Sequence, residues 1–523
     1  MSNPELESDH YDVIVIGTGL SESIAAASLA KSGKSVLHLD PNEYYGGEQA
    51  SLTLDELINW SNQHASSSSS NSSKYHIRYS SSSTTSLTEE LEFNKRRYSL
   101  SLFPSILPSR GQLIDTLISS DVSKYVSFRI LDSISLYTST QTEKEESGKF
   151  RKVPGSKEEI FKDKSISLID KRKLMKFLLF TAGEFEQDDL LKGKENQPLI
   201  QFLQETFSLS SSLSESIIYA ISHCTSPQEN TLSALQRTRR YLKSIGRYGN
   251  NAFLVGQYGG AGEISQGFCR ACAVFGGTYV LGPSASLTSI ETTSEGVSIK
   301  LPCHPRPVTA SHLISSPNHL PSVLIQRNSS SYTNSNQEEQ FITAHCVAIT
   351  KTLPAALRRN TLDPDLKDDN EEIENDDTAV VVFPREGDNV VRCYVNGEGT
   401  GSCPPGQYII YLSTALSKEP SNAKSTSPSE MLKPYLDKIT SDSIFESYYI
   451  STRLSLTSDI PESSDSIIIL KPYAGDELLT EGLDWEAKQG EEAYYKVIGK
   501  DGKQFFEKDA TEEEELGIDQ DDL

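Results

Sequence analysis

Strand-like and helix-like patterns alternate at the start of the chain. Val13 to Ile16 is an apolar, β-branched run, typical of a strand buried on both faces, and Val36 to Leu39 is a second such run. The alanine-rich segment from Ser21 to Lys31 predicts a helix that packs closely on a sheet, and Gly33 ends it. Residues 12–40 are therefore predicted to form a strand, a glycine turn, a helix and a second strand.

The turn before this helix carries a nearly complete dinucleotide fingerprint. Gly17 and Gly19 occupy the first two glycine positions, and Asp40 stands at about the position of the carboxylate that binds a ribose hydroxyl. The third glycine position holds Glu22. A carboxylate there uses the free N–H groups of the helix N-terminus and repels phosphate. We therefore expect a degenerate site that holds no dinucleotide and no other cofactor.

Polar segments of biased composition interrupt the pattern. Residues 64–88 are almost wholly serine with a few aromatic and basic residues, and such a segment cannot bury enough apolar surface to order itself. We interpret it as a disordered insertion. The acidic runs at 363–377 and 507–523 are interpreted as a solvated insertion and a disordered tail.

Residues 111–230 have a different pattern, in which apolar residues recur at helical spacing. The segments that carry it are LIDTLISSDVSKYV, SLIDKRKLMKFLLF, QPLIQFLQETF and SESIIYAISHC. They predict an inserted, all-helical domain II, whose interior is either a plain core or a core with a cleft for an apolar ligand. Residues 1–110 and 231–506 would form the larger domain I.

The second half of domain I combines a glycine-rich stretch with several strands. Arg247 to Gly282 predicts a loop, a helix from near Glu263 to Gly276-Gly277, and a strand at Thr278 to Leu281. Further strands are predicted at VSIKL, HCVAIT, AVVVF, YIIYLST and SIIIL. The fold class is therefore α/β, with an FAD/NAD(P)-binding-like domain I and the smaller helical domain II inserted into it.

Neither metal chemistry nor catalysis is expected. Cys269 and Cys272 match CxxC, but no second pair or histidine cluster accompanies them, so we interpret them as core neighbours on a helix. Gly475-Asp476 resembles the C-terminal turn of flavoenzymes, yet residues 484–486 that follow, Asp-Trp-Glu, would obstruct a flavin for a second time.

The charge balance limits the partners. The chain has 73 acidic and 49 basic residues, a net charge of -24, which argues against nucleic acid and against nonspecific adhesion to anionic membranes. The N-terminus lacks the pattern of a secretory signal, and the seven cysteines are scattered. We expect a cytosolic protein in a reducing compartment.

Several motifs, in this order, resemble the Rab GDP dissociation inhibitor and Rab escort protein superfamily. They are GTGLSES with glutamate at 22, VLHLDPNEYYGG, KRKLMKFLLF, SIGRYGN and GEISQGFCRACAVFGGTYVLG. The resemblance implies a flavoprotein-like domain that binds no flavin. It also implies a non-catalytic protein that grips GDP-bound Rab GTPases and shields their geranylgeranyl groups.

The resemblance also assigns residues. The Rab-binding platform would use Tyr45, Glu263, Arg270 and Tyr279, with Arg247 and Tyr248 in or beside a neighbouring mobile loop. Glu263 and Arg270 lie two helical turns apart, so they can share one face. Two departures affect the edge of this platform: the loop YGGAG is one residue longer than the usual YGxG, and Val280 replaces a methionine.

The two branches of the superfamily differ in one step. Escort proteins present unprenylated Rab to the αβ heterodimer of the geranylgeranyl transferase and then deliver the product to membranes. Dissociation inhibitors recycle Rab that is already prenylated. LMKFLLF at 174–180 resembles the escort form, in which Phe180 would contact the transferase, and Leu178 and Leu179 are plausible cleft residues. Escort is the favoured interpretation; a dissociation inhibitor and, remotely, a flavin-dependent oxidoreductase stay open.

Overall fold

The structure is a computed structural model, which describes the chain apart from several segments. The described residues are 6–65, 77–84, 87–142, 145–155, 157–164, 166–294, 296–320, 340–358, 375–384, 390–416, 427–454, 466–475 and 477–507. Parts of four predicted features lie outside them: 66–76 and 85–86 of the serine-rich segment, 363–374 of the acidic insertion, Asp476 of the C-terminal turn, and 508–523 of the tail.

Twenty β-strands lie in the described residues. In chain order those of the described residues are β1 (His10–Ile16), β2 (Val36–Asp40), β3 (Ser51–Leu52), β4 (Ile77–Thr84), β5 (Leu100–Ser101), β6 (Leu107–Pro108), β7 (Phe128–Ile130), β8 (Ser133–Thr142), β9 (Glu145–Lys152), β10 (Phe253–Gly256), β11 (Thr278–Leu281), β12 (Ser289–Thr293), β13 (Gly296–Lys300), β14 (Val308–Ser315), β15 (Gln340–Thr350), β16 (Thr378–Phe383), β17 (Val391–Asn396), β18 (Tyr408–Leu416), β19 (Ser443–Leu454) and β20 (Ile467–Ile469).

Helices cover the sheets and form one further layer. Those of the described residues are α1 (Leu20–Lys31), α2 (Leu54–Ala65), α3 (Glu89–Asn94), α4 (Gln112–Ser119), α5 (Lys157–Lys162), α6 (Leu168–Ala182), α7 (Leu199–Phe207), α8 (Ser211–Glu215), α9 (Thr231–Ser244), α10 (Ala261–Val274), α11 (Pro428–Ile439) and α12 (Leu478–Ile498). None of these helices combines the length and hydrophobicity that a membrane span requires.

The predicted βαβ unit is confirmed, and it forms the centre of the first sheet. The strand order is β11-β2-β1-β14-β13-β12, with β20 also paired to β14. The pairs β11–β2, β2–β1, β1–β14 and β14–β20 are parallel, as expected of a dinucleotide-type sheet. The alanines of α1 let α10 and α12 approach closely; a Cβ built on Gly490 of α12 would lie 2.7 Å from Ile24 Cγ2.

The second sheet has eight strands in the order β4-β19-β15-β18-β17-β16-β8-β9. Its pairs are antiparallel except for β16 with β8. Helix α11 packs its buried residues Leu432 and Leu436 against the sheet residues Val381 and Phe383. The strands predicted from HCVAIT, AVVVF and YIIYLST all lie in this sheet as β15, β16 and β18.

Helices α5 to α9 form a layer whose buried aromatic residues belong to one apolar core with residues of the second sheet. Phe177 of α6, Phe202 and Phe207 of α7, and Phe185 are almost fully buried there. Ser167 caps α6 because its Oγ accepts a hydrogen bond from the Asp170 N–H at 3.1 Å. The layer supplies the surface on which the predicted lipid cleft and transferase contact depend.

Two expectations require correction. The segment 111–230 is not all helical, because residues 128–152 form β7, β8 and β9, and α9 extends the helical layer beyond 230. Alternation in SISLYTST is typical of a half-buried strand, and β8 finds a partner in distant β16. Residues 77–84 within the serine-rich segment form β4, which pairs with β19; an edge strand is held by backbone hydrogen bonds that any residue can make. The division into domains stays a prediction.

Candidate functional site

The crevice at the N-terminus of α1 is filled by protein side chains. Glu22 is only 5% exposed, and its Oε1 accepts a hydrogen bond from the Ser316 N–H at 3.2 Å. A Cβ built on Gly19 would lie 2.6 Å from Glu22 Oε2, so the carboxylate lies against the glycine turn. The Leu20 N–H, at the start of the helix, donates to Gln49 Oε1 at 3.1 Å. The group that would face a pyrophosphate therefore has a protein partner.

The position predicted to bind a ribose is also occupied. Asp40 Oδ2 accepts hydrogen bonds from the Thr18 N–H at 2.8 Å and the Thr18 hydroxyl at 2.6 Å. Asp40 Oδ1 accepts from the Asn42 N–H at 2.8 Å. Gly17 has φ 100°, and a Cβ there would lie 2.8 Å from His319 Nε2. The residues present do not fit a dinucleotide.

Two further carboxylates join Glu22 in this crevice. Burial, followed by repulsion between the groups, raises the pKa of Glu22 and of Glu486 to about 7, and burial raises the pKa of Glu48 to about 7. The hydroxyl of Ser21, in the first turn of α1, donates to Glu486. These three carboxyl groups give the crevice the wrong charge for a phosphate ligand.

The predicted second obstruction is correct only for Glu486. Asp484 faces the other way: its Oδ1 accepts from the Leu113 N–H at 2.9 Å, and its Oδ2 lies 3.1 Å from Arg240 Nη1. Trp485 Nε1 donates to the Lys471 carbonyl at 2.7 Å. Residues 484–486 are consecutive on a helix, so their side chains point in different directions and cannot all face the crevice.

A separate, open groove brings four of the predicted Rab-binding residues together. It has a volume of about 550 Å³. Tyr45, Glu263, Arg270 and Tyr279 line it, and the further lining residues are Tyr125, Gln266, Gly267, Cys269, Ala273 and Gly277. We call this surface the platform groove. Arg247 and Tyr248 are not among its lining residues.

Helix α10 forms the floor of the platform groove because its two faces differ. Its apolar face, with Ile264, Phe268 and Cys272, is buried, and α10 packs against α1. The opposite face presents Glu263, Gln266 and Arg270, the first and last of which lie two turns apart as predicted. The Arg270 guanidinium lies 4.7 Å from the centre of the Tyr125 ring. Partial burial raises the pKa of Glu263.

Sequence reasoning missed Gln266 and Tyr125 in this groove. Gln266 had a usable signal, since it lies three residues after Glu263 and four before Arg270 on the same helical face. Tyr125 had none, because it reaches the groove from a turn far away in the sequence. Both add contact area without changing the polar character of the surface.

Tyr279 is anchored from below by a buried histidine. His38 Nε2 lies 2.5 Å from the Gly17 carbonyl oxygen, which can only accept, so this nitrogen carries the proton. His38 Nδ1 therefore accepts from the Tyr279 hydroxyl, at 3.0 Å. Burial lowers the pKa of His38 to about 4, which keeps the ring neutral. The Tyr45 and Tyr279 rings meet edge to face at 6.2 Å.

Cys269 and Cys272 lie beneath the same tyrosine as core residues. They are 3% and 0% exposed, and Cys269 Sγ lies 3.2 Å from the Ser23 hydroxyl. Burial raises the pKa of Cys269 to about 12 and of Cys272 to about 11, so both are thiols rather than the thiolates that metals bind. The interpretation of this CxxC as a packing pair agrees with their positions.

A second open site lies in the helical layer. This apolar cleft has a volume of about 470 Å³ between α5, α6 and α9. Its apolar lining includes Ile160, Met175, Leu178, Leu179, Ala182, Leu242 and Ile245. Leu178 and Leu179, named as plausible cleft residues, both line it. The helical layer thus has both a packed apolar core and an open apolar cleft, and the binding of a ligand in the cleft stays a prediction.

Arg247 and Tyr248 lie beside the apolar cleft, between its lining residues Gly246 and Asn250. Arg247 Nη1 donates to the Ser109 carbonyl at 2.8 Å, and its guanidinium lies 5.4 Å from the centre of the Tyr248 ring. Tyr248 is 48% exposed. Tyr248 is therefore accessible to a partner, whereas Arg247 is held by Ser109, and neither residue lines the platform groove.

Phe180 is half-buried at the edge of the aromatic core of the helical layer. Its ring lies 5.3 Å from Phe207, 5.9 Å from Phe185 and 6.1 Å from Phe202. The structure therefore gives Phe180 a packing role, while its exposed edge leaves it accessible from outside. Its contact with a transferase stays a prediction.

The chain is similar to several known proteins. The GDP dissociation inhibitor family matches residues 7–330. "Rab proteins geranylgeranyltransferase component A" of Saccharomyces cerevisiae is 31% identical over 422 residues, covering 79% of this chain and 62% of that protein. The chain thus spans about six tenths of that relative's length. The Drosophila melanogaster protein of the same name is 30% identical over 461 residues, covering 84% of this chain and 80% of its own.

Two dissociation inhibitors are also similar. The Rab GDP-dissociation inhibitor of Saccharomyces cerevisiae is 31% identical over 287 residues, which cover 54% of this chain and 57% of that protein. The crystal structure of Rab GDI from Plasmodium falciparum superposes with a TM-score of 0.64 at 20% identity, covering 95% of this chain and 99% of the other, and so shows the fold alone. Together with the matched residues 7–330, these similarities show that the chain belongs to the GDP dissociation inhibitor family.

Proposed function

We propose that this chain is a Rab escort protein. It binds unprenylated, GDP-bound Rab GTPases in the cytosol, presents them to the αβ heterodimer of Rab geranylgeranyl transferase, shields the attached geranylgeranyl groups and delivers Rab to membranes. It acts as an accessory subunit without catalytic residues. The observation that carries the proposal is the presence of both a polar platform groove and an apolar cleft on one chain of this family.

The platform groove supplies the chemistry of a specific protein contact. Arg270 is exposed at the end of the groove and offers charge-assisted hydrogen bonds, and Glu263 offers an acceptor two turns away on the same face. Tyr45 and Tyr279 add aromatic area between them. Arginine and tyrosine are the residue types that dominate binding energy at protein interfaces. Charge placement of this kind favours specificity for one partner class.

The apolar cleft supplies a place for the lipid. A geranylgeranyl group has about 20 carbons, and each buried methylene is worth about 0.8 kcal/mol. Met175, Leu178 and Ile245 line a cleft of about 470 Å³, which is within the usual size of small-molecule sites. A chain that carries a prenylated partner needs both the groove and the cleft, and the two lie on different layers of this fold.

The second candidate is a dissociation inhibitor that recycles prenylated Rab. The platform groove and the cleft serve that function equally well. What favours an escort protein is the extent of similarity: two relatives named component A align with 79% and 84% of this chain, whereas the yeast dissociation inhibitor aligns with 54%. The escort-like LMKFLLF of α6 points the same way.

A prenylation assay tests the proposal. GDP-loaded Rab, geranylgeranyl diphosphate and the catalytic heterodimer are mixed with and without this protein, and lipid transfer to Rab is followed. An escort protein makes transfer dependent on its presence, and the Glu263→Ala/Arg270→Ala variant abolishes that dependence. Arg306→Ala, at an exposed arginine outside the groove, is the matched control. A lack of stimulation, together with extraction of prenylated Rab from membranes, would identify a dissociation inhibitor instead.

Phe180 needs its own variants in this assay because of its packing. Phe180→Ala removes contacts with three aromatic rings and is expected to destabilise the helical layer by about 3 kcal/mol. Phe180→Leu keeps most of the volume but changes the exposed edge. If the transferase uses this edge, both variants weaken the complex with the heterodimer at a temperature where both remain folded. An unchanged complex would assign Phe180 to packing alone.

A further inference from the structure

The outward face of α6 carries an exposed mixture of apolar and cationic side chains. Leu168, Ile169 and Leu179 are 77%, 66% and 68% exposed, and Arg172 and Lys176 are exposed between them. At about 100° per residue, these five positions fall within a single arc of about 100° around the helix. We call this set the α6 outer face.

Contacts within the chain account for only part of this composition: the Lys176 ammonium lies 6.0 Å from the centre of the Phe207 ring, but packing does not explain the exposed leucines and isoleucine. The inward positions Leu174, Phe177 and Leu178 are buried and supply the packing of α6. The acidic residue of the helix, Asp170, lies off the arc and accepts a hydrogen bond from the Ser167 hydroxyl at 2.9 Å at the N-terminus. Large apolar residues that stay exposed together on one face usually mark a surface for another molecule.

Phe161 is an exposed apolar residue on the neighbouring helix α5. It is 62% exposed at the end of α5. Its carbonyl accepts a hydrogen bond from Lys171 Nζ at 2.8 Å, so the end of α5 is held against the first turns of α6. A further large apolar side chain is therefore exposed close to the start of α6.

We propose that the α6 outer face docks on the surface of an anionic lipid bilayer. Its five residues include two cations and no acid, in a chain whose net charge is -24, so the charge of this face is opposite to that of the whole. A convex helix face with apolar side chains beside lysine and arginine matches the interfacial region of a bilayer, where apolar groups enter shallowly and cations meet anionic headgroups. Net charge alone had argued against such a membrane; the local distribution reverses that argument.

Leu179 connects the α6 outer face to the apolar cleft. Leu179 belongs to the α6 outer face and also lines the apolar cleft. A bilayer against this face would therefore lie at the rim of the cleft. The contact goes beyond the proposed function, because it concerns the chain alone and requires neither Rab nor lipid cargo.

Vesicle flotation with the full chain tests the inference. The probes are vesicles of equimolar phosphatidylcholine and phosphatidylserine, and vesicles of phosphatidylcholine alone. The chain is expected to float with the anionic vesicles and to be released by high salt. Because each cation near such a surface is worth roughly a factor of five in binding, Arg172→Gln/Lys176→Gln is expected to lower the partition coefficient about 25-fold. Lys192→Gln/Lys488→Gln, at exposed lysines elsewhere, is the matched control and leaves it within about twofold.

A second variant tests the apolar part by a different signal. In Ile169→Trp, emission is expected to shift to shorter wavelength when anionic vesicles are added, as the indole leaves water. No flotation of the unaltered chain, or equal loss in the α6 variant and the control, would overturn the inference. So would loss of the transferase complex in the α6 variant with unchanged vesicle binding, which would make this face a protein contact. Rab binding measured on the same variants tests the proposed function separately.

Discussion

The crevice at the N-terminus of α1 and the cleft beside α6 are both concave sites of this fold, but protein side chains fill the crevice and leave the cleft open. The crevice retains the backbone shape of a nucleotide site, yet Glu22, Gln49 and Glu486 occupy it. The cleft, in contrast, is open, apolar and about 470 Å³ in volume. Side chains rather than backbone topology therefore decide which of the two sites can work.

The difference also has an energetic side. The crevice buries carboxyl groups whose pKa rises to about 7, which means that the protein bears a cost in keeping them there near neutral pH. The cleft leaves apolar side chains such as Met175 without full packing, which also costs stability but leaves space for an apolar chain. The side chains in the crevice do not fit a dinucleotide, whereas the cleft has the open apolar space that the proposed lipid site requires.

Filling the cleft is expected to have the largest effect. Ala182 lines the cleft at the end of α6, and Ala182→Trp would place an indole in it. If the indole displaces about four carbons of a bound isoprenoid, affinity falls by about 3 kcal/mol, or roughly 100-fold. The measurement is the binding of a fluorescent geranylgeranyl-cysteine ester to the variant and the parent chain.

The control for this change is Ala182→Ser, which keeps the cleft open at the same position. Unprenylated Rab should bind all three proteins equally, because Ala182 is outside the platform groove. Equal lipid affinity of the tryptophan and serine variants would mean that the lipid binds elsewhere. The apolar cleft would then not be the site of the geranylgeranyl group.

Sequence patterns captured the local parts of this architecture. The βαβ unit, α10, β11 and the shared face of Glu263 and Arg270 all depend on residues close together in the chain, where periodicity is informative. The obstruction by Glu22 was also local, since one position of a known fingerprint had changed. Such features were predicted because the physical cause lies within the segment itself.

Contacts between segments far apart in the chain could not be predicted from the sequence. Gln49 reaches the α1 N-terminus from a turn 29 residues later, and nothing in its own segment indicates this. The strand β8 was assigned to a helical segment because its partner β16 lies far along the chain. The resemblance placed Arg247 and Tyr248 in or beside a loop neighbouring the platform, but the hydrogen bond from Arg247 to the Ser109 carbonyl could not be read from the sequence.

Removing the charge from the crevice is expected to have an intermediate, pH-dependent effect. The folded Glu22 has a pKa of about 7 against an ordinary value of 4.5, so the folded state binds more protons than the unfolded state between those values. Stability therefore falls as pH rises through this interval and stays lower above it. Glu22→Gln keeps an acceptor for the Ser316 N–H and is expected to raise the free energy of unfolding by roughly 1–3 kcal/mol at about pH 8.

Urea unfolding at about pH 5 and about pH 8 measures this difference. The gain should fall to about a quarter at the lower pH, where the folded parent carboxyl is already protonated and the unfolded one is still mostly ionised. The exposed Glu184→Gln serves as the control and should change stability little at either pH. A gain that does not depend on pH would show that packing, rather than buried charge, sets the cost of the filled crevice.

The smallest expected effect separates the anchor beneath the platform groove from its binding surface. Tyr279→Phe removes the hydroxyl that donates to His38 Nδ1 at 3.0 Å and leaves the ring that meets Tyr45. The free energy of unfolding is expected to fall by about 1 kcal/mol, the net worth of one buried hydrogen bond. Rab affinity is expected to stay within about twofold, because the hydroxyl is directed to the histidine and the ring edge faces the groove. Titration of Rab against the variant, beside thermal unfolding, measures both quantities. A large loss of Rab affinity without loss of stability would show that the Tyr279 hydroxyl binds Rab directly. The hydroxyl would then leave His38 when the partner binds.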